Sequence, residues 1–546
     1  MKLNHFIIKS MACAAAFSAV SCTAGYEEIN RNPYQPRLED MTADDYLSGA
    51  MLLNLQDLMV PEQENFAQFV ECLMPGGFSG YIADSNLGSG WSGRFATYDP
   101  ADGWLAVPFE FFEKFYPNYL QFKNQVNDEI YLALGELYRV TVMARVTDTY
   151  GPIPYSQMGA QNALSAAYDS QKDVYTRMLG SLDDIIGVLT ANSAAVIPAG
   201  SDRVYGGIIG KWARFANTLK LRLAMRIVYA DPELARSKAE EAVNSEAGII
   251  ENAADGAFRS VSDHNPWERF MPNWGDARMA ADLVCYMNGY NDPRREAYYG
   301  RTTFASEAGK LPSFNFSGTE SYCGLPRGIR QTTYHEASHG YSCMNITVSD
   351  DIRILPASEA AFLCAEGALR GWNMKGTDAQ TWYEKGIALS FEERGAGGAA
   401  AYIADATSTP ADFNDPLHYY RSLSTGSTAT IAWNSNGSDF ETNLERIITQ
   451  KWIAIFPNCM EAWSEYRRTG YPRLIPAYDN LSVAGTVSDS EGARRMPYPA
   501  DEYRENAVHI SDAVAKLASE SGKVVGYNGG DNMGTHVWWD CNPRIK

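Results

Sequence analysis

The chain has 546 residues, of which 45% are hydrophobic and 12% aromatic, so it can build a large core and is not an intrinsically disordered protein. Its formal net charge of −20 repels nucleic-acid phosphates and anionic lipid headgroups, which argues against a nucleic-acid partner. We expect most of its 32 tyrosines and 12 tryptophans in the core, with a minority free to form a stacking surface.

The N-terminus has the pattern of an export signal. Two lysines precede a short apolar run at residues 11–20, which leads into Ala-Val-Ser-Cys ending at Cys22. This arrangement predicts a signal peptide over residues 1–21 rather than a transmembrane helix. A small residue directly before the cysteine resembles a bacterial lipobox and predicts lipidation of Cys22, although Ala19 replaces the more usual leucine. The alternative is ordinary signal cleavage nearby, with Cys22 a plain thiol.

The mature chain is predicted to be one domain on a lipid tether. Residues 22–40 have the composition of a tether and extended lead-in, and residues 41–546 are predicted to form a single domain. No other apolar stretch of the sequence is long enough to span a bilayer. The remaining cysteines are scattered singly and do not indicate a disulfide framework, although Cys323 and Cys343 flank a loop-like region and could pair.

Helical periodicity dominates the domain. Apolar residues at helical spacing predict helices at 42–59, 128–147, 169–191, 211–230, 232–245, 358–372, 378–394, 443–456 and 459–470. Thr42 and Asp169 are expected N-caps, and the Gly-Pro-x-Pro of residues 151–154 is expected to end the second of these helices. Four segments rich in Gly, Ser, Asn and aromatic residues are predicted to be long loops: 75–118, 255–350, 395–440 and 471–545. Residues 345–355 alternate apolar and polar side chains and are a candidate strand of a small hairpin.

Small residues on neighbouring helices predict helical hairpins. The expected contact residues are Ala361, Ala365, Ala368, Tyr383, Gly386, Ala388 and Ser390. Helix pairs that meet in this way are typical of tetratricopeptide-like scaffolds, although no strict repeat of about 34 residues is present. We therefore predict a mainly α protein, a tetratricopeptide-like helical-hairpin scaffold with long loops and a few short β-hairpins.

Charged residues within the apolar helices predict buried ion pairs. Arg222 lies on one such helix, while Glu359 and Glu366 lie on another and need partners if they are buried. Arg467 and Arg468 are expected to supply them. We expect these residues to hold the scaffold together rather than to catalyse a reaction.

Eight motifs, taken in order, resemble a known family. They are VTDTYGPIPYSQ (146–157), AAYDSQKDVYTRMLGSLDDII (166–186), DRVYGGIIGKWARFANTLKLRLAMR (202–226), DPR (292–294), ILPASEAAFLCAEGALRGW (354–372), YEKGIALSFE (383–392), ITQKWIAIFPNCMEAWSEYRRTGYP (448–472) and RRMPYPADEYRENA (494–507). Behind a lipobox, they resemble the SusD/RagB-like nutrient-binding outer-membrane lipoproteins of Bacteroidetes. More narrowly, they resemble the branch often called SusD-like 2, from about residue 25 to the C-terminus.

The resemblance implies a lipid-anchored protein of the outer membrane that faces the cell exterior. Family members have a SusD-like α-α superhelix, sit over a TonB-dependent SusC-like transporter and capture oligosaccharides or peptides for import. The implied function is a non-enzymatic nutrient receptor without a cofactor, with an oligosaccharide as the expected ligand. Two alternatives stay open, a surface hydrolase acting on the same polymers and a structural transporter lid with little ligand affinity.

Two loop segments rich in aromatic residues are the candidate ligand-binding regions. Sugars bind flat apolar rings through their C–H groups, and bind amides, carboxylates and arginines through their hydroxyls. The family's ligand residues vary, so none is carried over to this chain. From the residues themselves we predict ligand contacts at Tyr81, Asn86, Trp91, Arg94, Tyr98, Trp104, Trp267 and Trp274. The alternative for each ring is packing against the helices.

The segment His335-Glu336-x-x-His339 has the spacing of a zinc protease. Glycines and a proline around it predict a loop, whereas the protease motif requires an α-helix with both histidines on one face. No third histidine follows at metzincin spacing, and the sequence contains no Walker A loop or Gly-x-Ser-x-Gly elbow. We therefore predict no catalytic residue and no metal, with an incidental metal at His335 and His339 as the alternative.

Overall fold

The computed structural model describes residues 45–87, 94–159, 165–310, 314–330, 335–435 and 439–545. Within these ranges α-helices predominate, which confirms the predicted fold class. The helices of nine or more residues are α1 Tyr46–Asp57, α2 Phe111–Gln125, α3 Glu129–Tyr150, α4 Gln171–Ala191, α5 Ile209–Arg226, α6 Pro232–Asn244, α7 Ala281–Gly289, α8 Ala357–Leu369, α9 Ala379–Glu393, α10 Phe440–Ile455, α11 Cys459–Thr469 and α12 Ala507–Glu520. No helix of the described ranges is long and apolar enough to cross a membrane.

Shorter helical segments connect these helices. The short α-helices are Glu64–Ala67, Met74–Ser79, Asp102–Ala106, Pro266–Glu268, Arg295–Tyr298, Phe304–Ala308, Ala399–Ile403 and Ala500–Glu505. The π segments are Gln68–Leu73 and Arg269–Asn273. The 3₁₀ segments are Phe95–Thr97, Val107–Glu110, Ala199–Ser201, Ala253–Asp255, His335–Gly340 and Tyr527–Gly530.

The described strands are short and form two-stranded antiparallel ladders. They are β1 Ile82–Asp84, β2 Ile153–Pro154, β3 Tyr168–Asp169, β4 Ala257–Arg259, β5 Ala277–Met279 and β6 Ile352–Leu355. β2 pairs with its sequence neighbour β3, but β1 pairs with β5 and β4 with β6. The segment 345–355 therefore supplies a strand to a long-range pair rather than to a local hairpin, and two of these ladders join segments far apart in the chain.

Consecutive helices pack against each other as the predicted hairpins. α3 contacts α4, α4 contacts α5, and α8 contacts α9. Gly386 explains the close approach of α9 to α8, because a Cβ there would lie 2.8 Å from the Phe362 ring. Gly135 of α3 similarly leaves room for Phe122 of α2. Small residues thus set helix separation, as the sequence indicated.

Three predicted details of the helices differ from the structure. The N-cap of α4 is Ser170, whose hydroxyl accepts from the Asp173 backbone N–H at 3.1 Å, because Asp169 lies in β3 and binds Ser156 instead. α5 ends at Arg226, four residues earlier than predicted. Helices α7 and α12 lie within segments predicted to be loops, and α2 begins within one and extends seven residues beyond it. Thr42 lies outside the described residues.

Both glutamates are buried in ion pairs, but only one of them has a predicted partner. Arg468 makes two hydrogen bonds to Glu366, at 2.6 Å each, as predicted, whereas Glu359 is bound by Arg222, through two hydrogen bonds at 2.8 and 2.7 Å. Arg467 differs from its neighbour, because it donates to backbone carbonyls rather than to a glutamate. These pairs join α5 and α11 to α8.

Further charges extend these pairs into a network, which we call the ion network. Its other members are Arg226, Lys451, Glu461 and Glu465. Burial alone would raise the pKa of Glu461, but Arg226 and Lys451 outweigh it and hold that pKa at about 2. The network is therefore charged at neutral pH and fastens α5, α8, α10 and α11 together.

A second, smaller hydrophobic cluster lies beneath the loops, and we call it the loop-layer core. Its buried members are Ala83, Leu87, Ala280, Ala281, Cys285, Phe304, Phe314, Cys323, Leu325, Ile329, Ala337, Tyr341, Phe413, Tyr420 and Ile475. Cys323 and Cys343 are both free thiols in this region. The described residues of 304–310, 314–330, 335–345 and 413–423 thus contribute to a core of their own beside the helical scaffold.

Candidate functional site

The β1–β5 ladder brings the two predicted ligand segments together. Ile82 lies opposite Met279, and the pairing continues to Asp84 opposite Ala277. Beyond the last pair, Ser85 donates its backbone N–H to the Asp276 carbonyl at 2.9 Å. The chain segments that carry Asn86 and Trp274 are therefore neighbours at one end of the ladder.

Polar side chains at this end form a compact hydrogen-bonded group. Asn86 donates its Nδ2 to one oxygen of the Asp276 carboxylate at 3.0 Å, and Gln68 donates its Nε2 to the other at 2.6 Å. Trp274 lies two residues before Asp276 and is 42% exposed. We call Gln68, Asn86, Trp274, Asp276 and His339 the ladder platform.

The backbone around Trp274 explains its exposure. The π segment Arg269–Asn273 ends directly before it, and Gly275 follows with a φ of +74°, a conformation that favours glycine. A Cβ on Gly275 would lie 3.3 Å from the His339 imidazole, so that ring lies close over the backbone here. The indole that follows the π segment is at the surface, two residues before Asp276.

The His335–Gly340 segment forms a 3₁₀ helix rather than the α-helix of a zinc protease. Ser338 donates its hydroxyl to the Ser85 carbonyl, and the His339 carbonyl accepts from Arg278 Nε at 2.9 Å. In the part of the chain that the structure describes, no group of three or more His, Cys, Asp or Glu side chains could hold a metal ion. These two hydrogen bonds join the segment to Arg278 of β5 and to Ser85, the residue that follows β1.

Arg94 binds residues that precede it on β1 and shortly after β1. Its guanidinium forms an ion pair with Asp84 and donates to the Asn86 carbonyl at 2.8 Å. Burial raises the pKa of Asp84, and Arg94 opposes that rise. Arg94 is itself buried, so in this structure its guanidinium serves these contacts rather than a ligand. Trp91 lies outside the described residues.

Two other predicted rings pack inside the molecule. Tyr81 is 0% exposed, donates its hydroxyl to the Trp452 carbonyl and packs on the Trp452 ring at 5.0 Å. Trp104 is half-buried against Phe69 and Phe95, with ring centroids 5.2 and 5.5 Å away. A ligand cannot reach Tyr81 in this arrangement, because the ring lies wholly in the core.

Tyr98 and Trp267 line two separate cavities whose linings share no residue with the platform. Tyr98 is buried on Phe78 and, with Asp99, borders a cavity of about 400 Å³ near the C-terminal segment. Trp267 is buried edge-on against Phe270 and borders another cavity of about 400 Å³. The structure therefore distributes the predicted rings over three places, and among those it describes, Trp274 has the widest exposure.

Sequence reasoning missed Gln68, Asp276 and His339 as members of the platform. Asp276 stands two residues after Trp274, so the segment itself offered that signal. Gln68 lies on a π segment more than two hundred residues away, and no local pattern connects it to Trp274. A flat exposed indole suits the C–H face of a sugar ring, and amides and a carboxylate suit its hydroxyls.

Known proteins similar to this chain share one description. A family model described as SusD-like, Susd and RagB outer membrane lipoprotein, matches residues 28–540. A SusD homolog from Bacteroides ovatus is 55% identical with a TM-score of 0.86, and one from Bacteroides thetaiotaomicron is 41% identical with a TM-score of 0.83. A chitin-binding SusD homolog from Flavobacterium johnsoniae is 36% identical with a TM-score of 0.81. Each alignment covers 91% of this chain and 99% of the other, and no curated protein sequence matches.

Proposed function

We propose that this chain, which belongs to the SusD-like family of SusD and RagB outer membrane lipoproteins, captures an oligosaccharide at the ladder platform. The observation that carries the proposal is the exposed Trp274 indole, two residues before Asp276, whose carboxylate accepts from Asn86 and Gln68. A similar protein is described as chitin-binding, which supports a glycan as the ligand class here. The family is one of binding proteins, so capture proceeds without turnover.

The same proposal covers how the protein is held at the membrane. Residues 1–21 are removed, Cys22 is lipidated, residues 22–40 form the tether and residues 41–546 form one domain. The family description as outer membrane lipoproteins supports the anchor, and the match over residues 28–540 supports a single domain. The captured ligand then passes to a TonB-dependent SusC-like transporter, over which the domain sits on the outer face of the membrane.

Calorimetry on residues 23–546 with a panel of oligosaccharides, including chitin oligosaccharides, tests the capture. We expect saturable heat, and we expect Trp274→Ala to weaken binding at least ~10-fold, about 1.4 kcal/mol. Tyr46→Ala is the matched control, because Tyr46 is 65% exposed on α1. If Trp274→Ala and the unaltered protein bind the oligosaccharide with equal affinity, the ligand does not bind at the platform.

The same samples separate a receptor from a hydrolase. Reducing ends are measured before and after each titration. We expect no new ends, because both oxygens of the platform carboxylate, that of Asp276, are engaged by the Asn86 and Gln68 amides. Release of new ends at a rate above buffer would overturn the receptor proposal in favour of the hydrolase.

A further inference from the structure

The cavity beside Tyr98 is a second candidate binding site, and its lining shares no residue with the ladder platform. The lining residues come from four segments of the chain, 98–105, 482–486, 497–503 and 528–533. The volume of about 400 Å³ lies within the ~300–1,000 Å³ that small-molecule sites occupy. The cavity is therefore large enough to hold a ligand of its own.

The charged residues that line this cavity are all acidic. They are Asp99, Asp102 and Asp531, and no Lys, Arg or His is among the described residues of the lining. The charge of Asp531 is balanced, because this buried carboxylate accepts from Arg495 at 2.5 Å. Asp99 and Asp102 are exposed, and neither side chain has an ion pair or a hydrogen bond with the residues that the structure describes. The described lining thus carries two carboxylates for which it supplies no cation.

An aromatic ring of the same lining is held in place by its hydroxyl. Tyr503 donates this hydroxyl to the Asp531 carboxylate at 2.5 Å, while its side chain is 39% exposed. Within the described ranges the Tyr503 ring has no stacking partner and no cation over its face, whereas Tyr498 is stacked on Tyr150. The π-electrons of an uncovered ring attract a cation that lies within about 6 Å of the ring centre.

The wall of the cavity also contains a hydroxyl group without a partner. Thr486 is 8% exposed, and its Oγ1 atom is buried without a hydrogen bond to any described residue. Most buried hydroxyls have such a partner, so this oxygen is available to accept from a donor in the cavity. The observation is independent of the two carboxylates and favours the same kind of ligand, one that donates hydrogen bonds.

We propose that this cavity binds a small organic cation, a ligand with an ammonium group on a carbon skeleton. The ammonium group meets Asp99, Asp102 and the Tyr503 ring, and the carbon skeleton packs on Leu105 and Val483. An anion would be repelled by the two carboxylates, and a neutral ligand would leave their charge unbalanced. A metal ion is a poorer occupant, because within the described residues no group of three or more His, Cys, Asp or Glu could hold one. The site is independent of the proposed oligosaccharide capture.

Matched charged and neutral probes test the proposal on the unaltered protein. Calorimetry uses the full-length chain in detergent with glucosamine against N-acetylglucosamine, and with diaminobutane against butanediol. We expect saturable heat for at least one amine, and at least ~10-fold weaker binding of its neutral counterpart. The amine that binds more tightly tells whether the cation comes from an amino sugar or from an alkyl amine. No heat with either amine, or equal binding of an amine and its neutral counterpart, would overturn the proposal.

Removal of the two free carboxylates tests their role. The double variant Asp99→Asn/Asp102→Asn changes only exposed side chains, and it should bind the amine at least ~10-fold more weakly. The matched control Asp501→Asn/Asp512→Asn removes two exposed charges outside the lining and should retain amine binding. Undiminished binding by the first variant, or an equal loss in both variants, would overturn the proposal.

A variant that fills the cavity places the site. Ala500→Trp introduces a large ring from an exposed lining position and should abolish amine binding. The far-ultraviolet spectrum and thermal unfolding check that the variant is folded. Trp274→Ala, outside the cavity, should bind the amine as the unaltered protein does, and its oligosaccharide heats report separately on the platform. Undiminished amine binding by folded Ala500→Trp would exclude the cavity.

Discussion

The ion network and the ladder platform both hold carboxylates by hydrogen bonds, but the two differ in burial. In the network, Arg468 is fully buried and every close contact of its guanidinium is with a glutamate. At the platform, the amide of Asn86 and the carboxylate of Asp276 are only partly buried, and solvent reaches the indole of Trp274, two residues before Asp276. A hydrogen-bonded carboxylate alone therefore does not distinguish scaffold from site, whereas its burial does.

The two cores explain why this division is possible. Close packing in the main core fixes the helices, and the loop-layer core is a separate set of buried residues that packs the loops. We therefore expect that side chains that pack on the loop-layer core can change without disturbing helix packing. Substitutions in the network should therefore affect folding, and substitutions at the platform should affect binding.

Arg468→Leu should have the largest effect on stability. It leaves Glu366 and Glu465 buried without their principal partner, which costs about 3–5 kcal/mol in free energy of unfolding. Urea unfolding followed by circular dichroism measures the loss. Arg504→Ala is the control, because Arg504 is exposed and pairs only with exposed acids, and it should leave the unfolding curve unchanged. A loss below about 1 kcal/mol for Arg468→Leu would mean that the network does not hold the helices.

Gly386→Ala tests the close approach of α8 and α9. The added methyl group meets the Phe362 ring, and overpacking of this kind costs about 1–3 kcal/mol. Gly180→Ala, in the middle of α4, is the matched control because nothing lies within 4 Å of the added Cβ. There the substitution should stabilise the protein by about 0.5–1 kcal/mol. The same sign of change at both positions would contradict the packing argument.

His536 offers a buried charge that pH can switch. Burial by itself would lower its pKa, but Asp540 and Glu491 outweigh burial and raise that pKa above its ordinary value. Its protonation therefore stabilises the fold fully below about pH 6.5, and this contribution is lost as pH rises through the raised pKa of the folded state. The free energy of unfolding should fall more steeply from pH 6 to pH 8 in the unaltered protein than in His536→Gln.

The buried acids around His536 supply the control for that comparison. The pKa of Glu491 is held at about 2 by its hydrogen bonds with His536 and Lys523, so it stays ionised throughout this range. Any difference in slope between pH 6 and pH 8 therefore reports on the histidine. Parallel curves for the unaltered protein and His536→Gln would show that His536 does not gain a proton on folding.

Much of the scaffold could be predicted from the sequence, because its signals are local. Amphipathic spacing located helices such as α3 and α9, and lone glutamates on an apolar helix indicated the partners that Arg222 and Arg468 supply. α7 was missed because it is apolar on most sides and lacks a stripe, and α2 because it contains an internal proline among many rings. α12 has regular apolar spacing that the prediction overlooked.

The platform could be predicted only in part, because it depends on a long-range contact. Asn86 and Trp274 were each selected from ring-rich segments, but only the β1–β5 pairing brings those segments together. No local pattern distinguishes the exposed Trp274 from the buried Tyr81, since both stand among Gly, Asn and aromatic residues. Burial of a ring is decided by which distant helix covers it.

The smallest expected effect on stability is that of Trp274→Ala, and it is the sharpest test of the division between the two regions. The indole is 42% exposed, so truncation removes less buried apolar area than it would at a core tryptophan, and the free energy of unfolding should fall by about 1–2 kcal/mol. Urea unfolding of this variant is compared with Tyr46→Ala, an exposed ring on the scaffold. If Trp274→Ala loses more than about 3 kcal/mol, the loss expected for a core ring, while Tyr46→Ala does not, Trp274 is a packing residue. In that case weaker oligosaccharide binding by the variant would reflect a damaged fold rather than a lost contact.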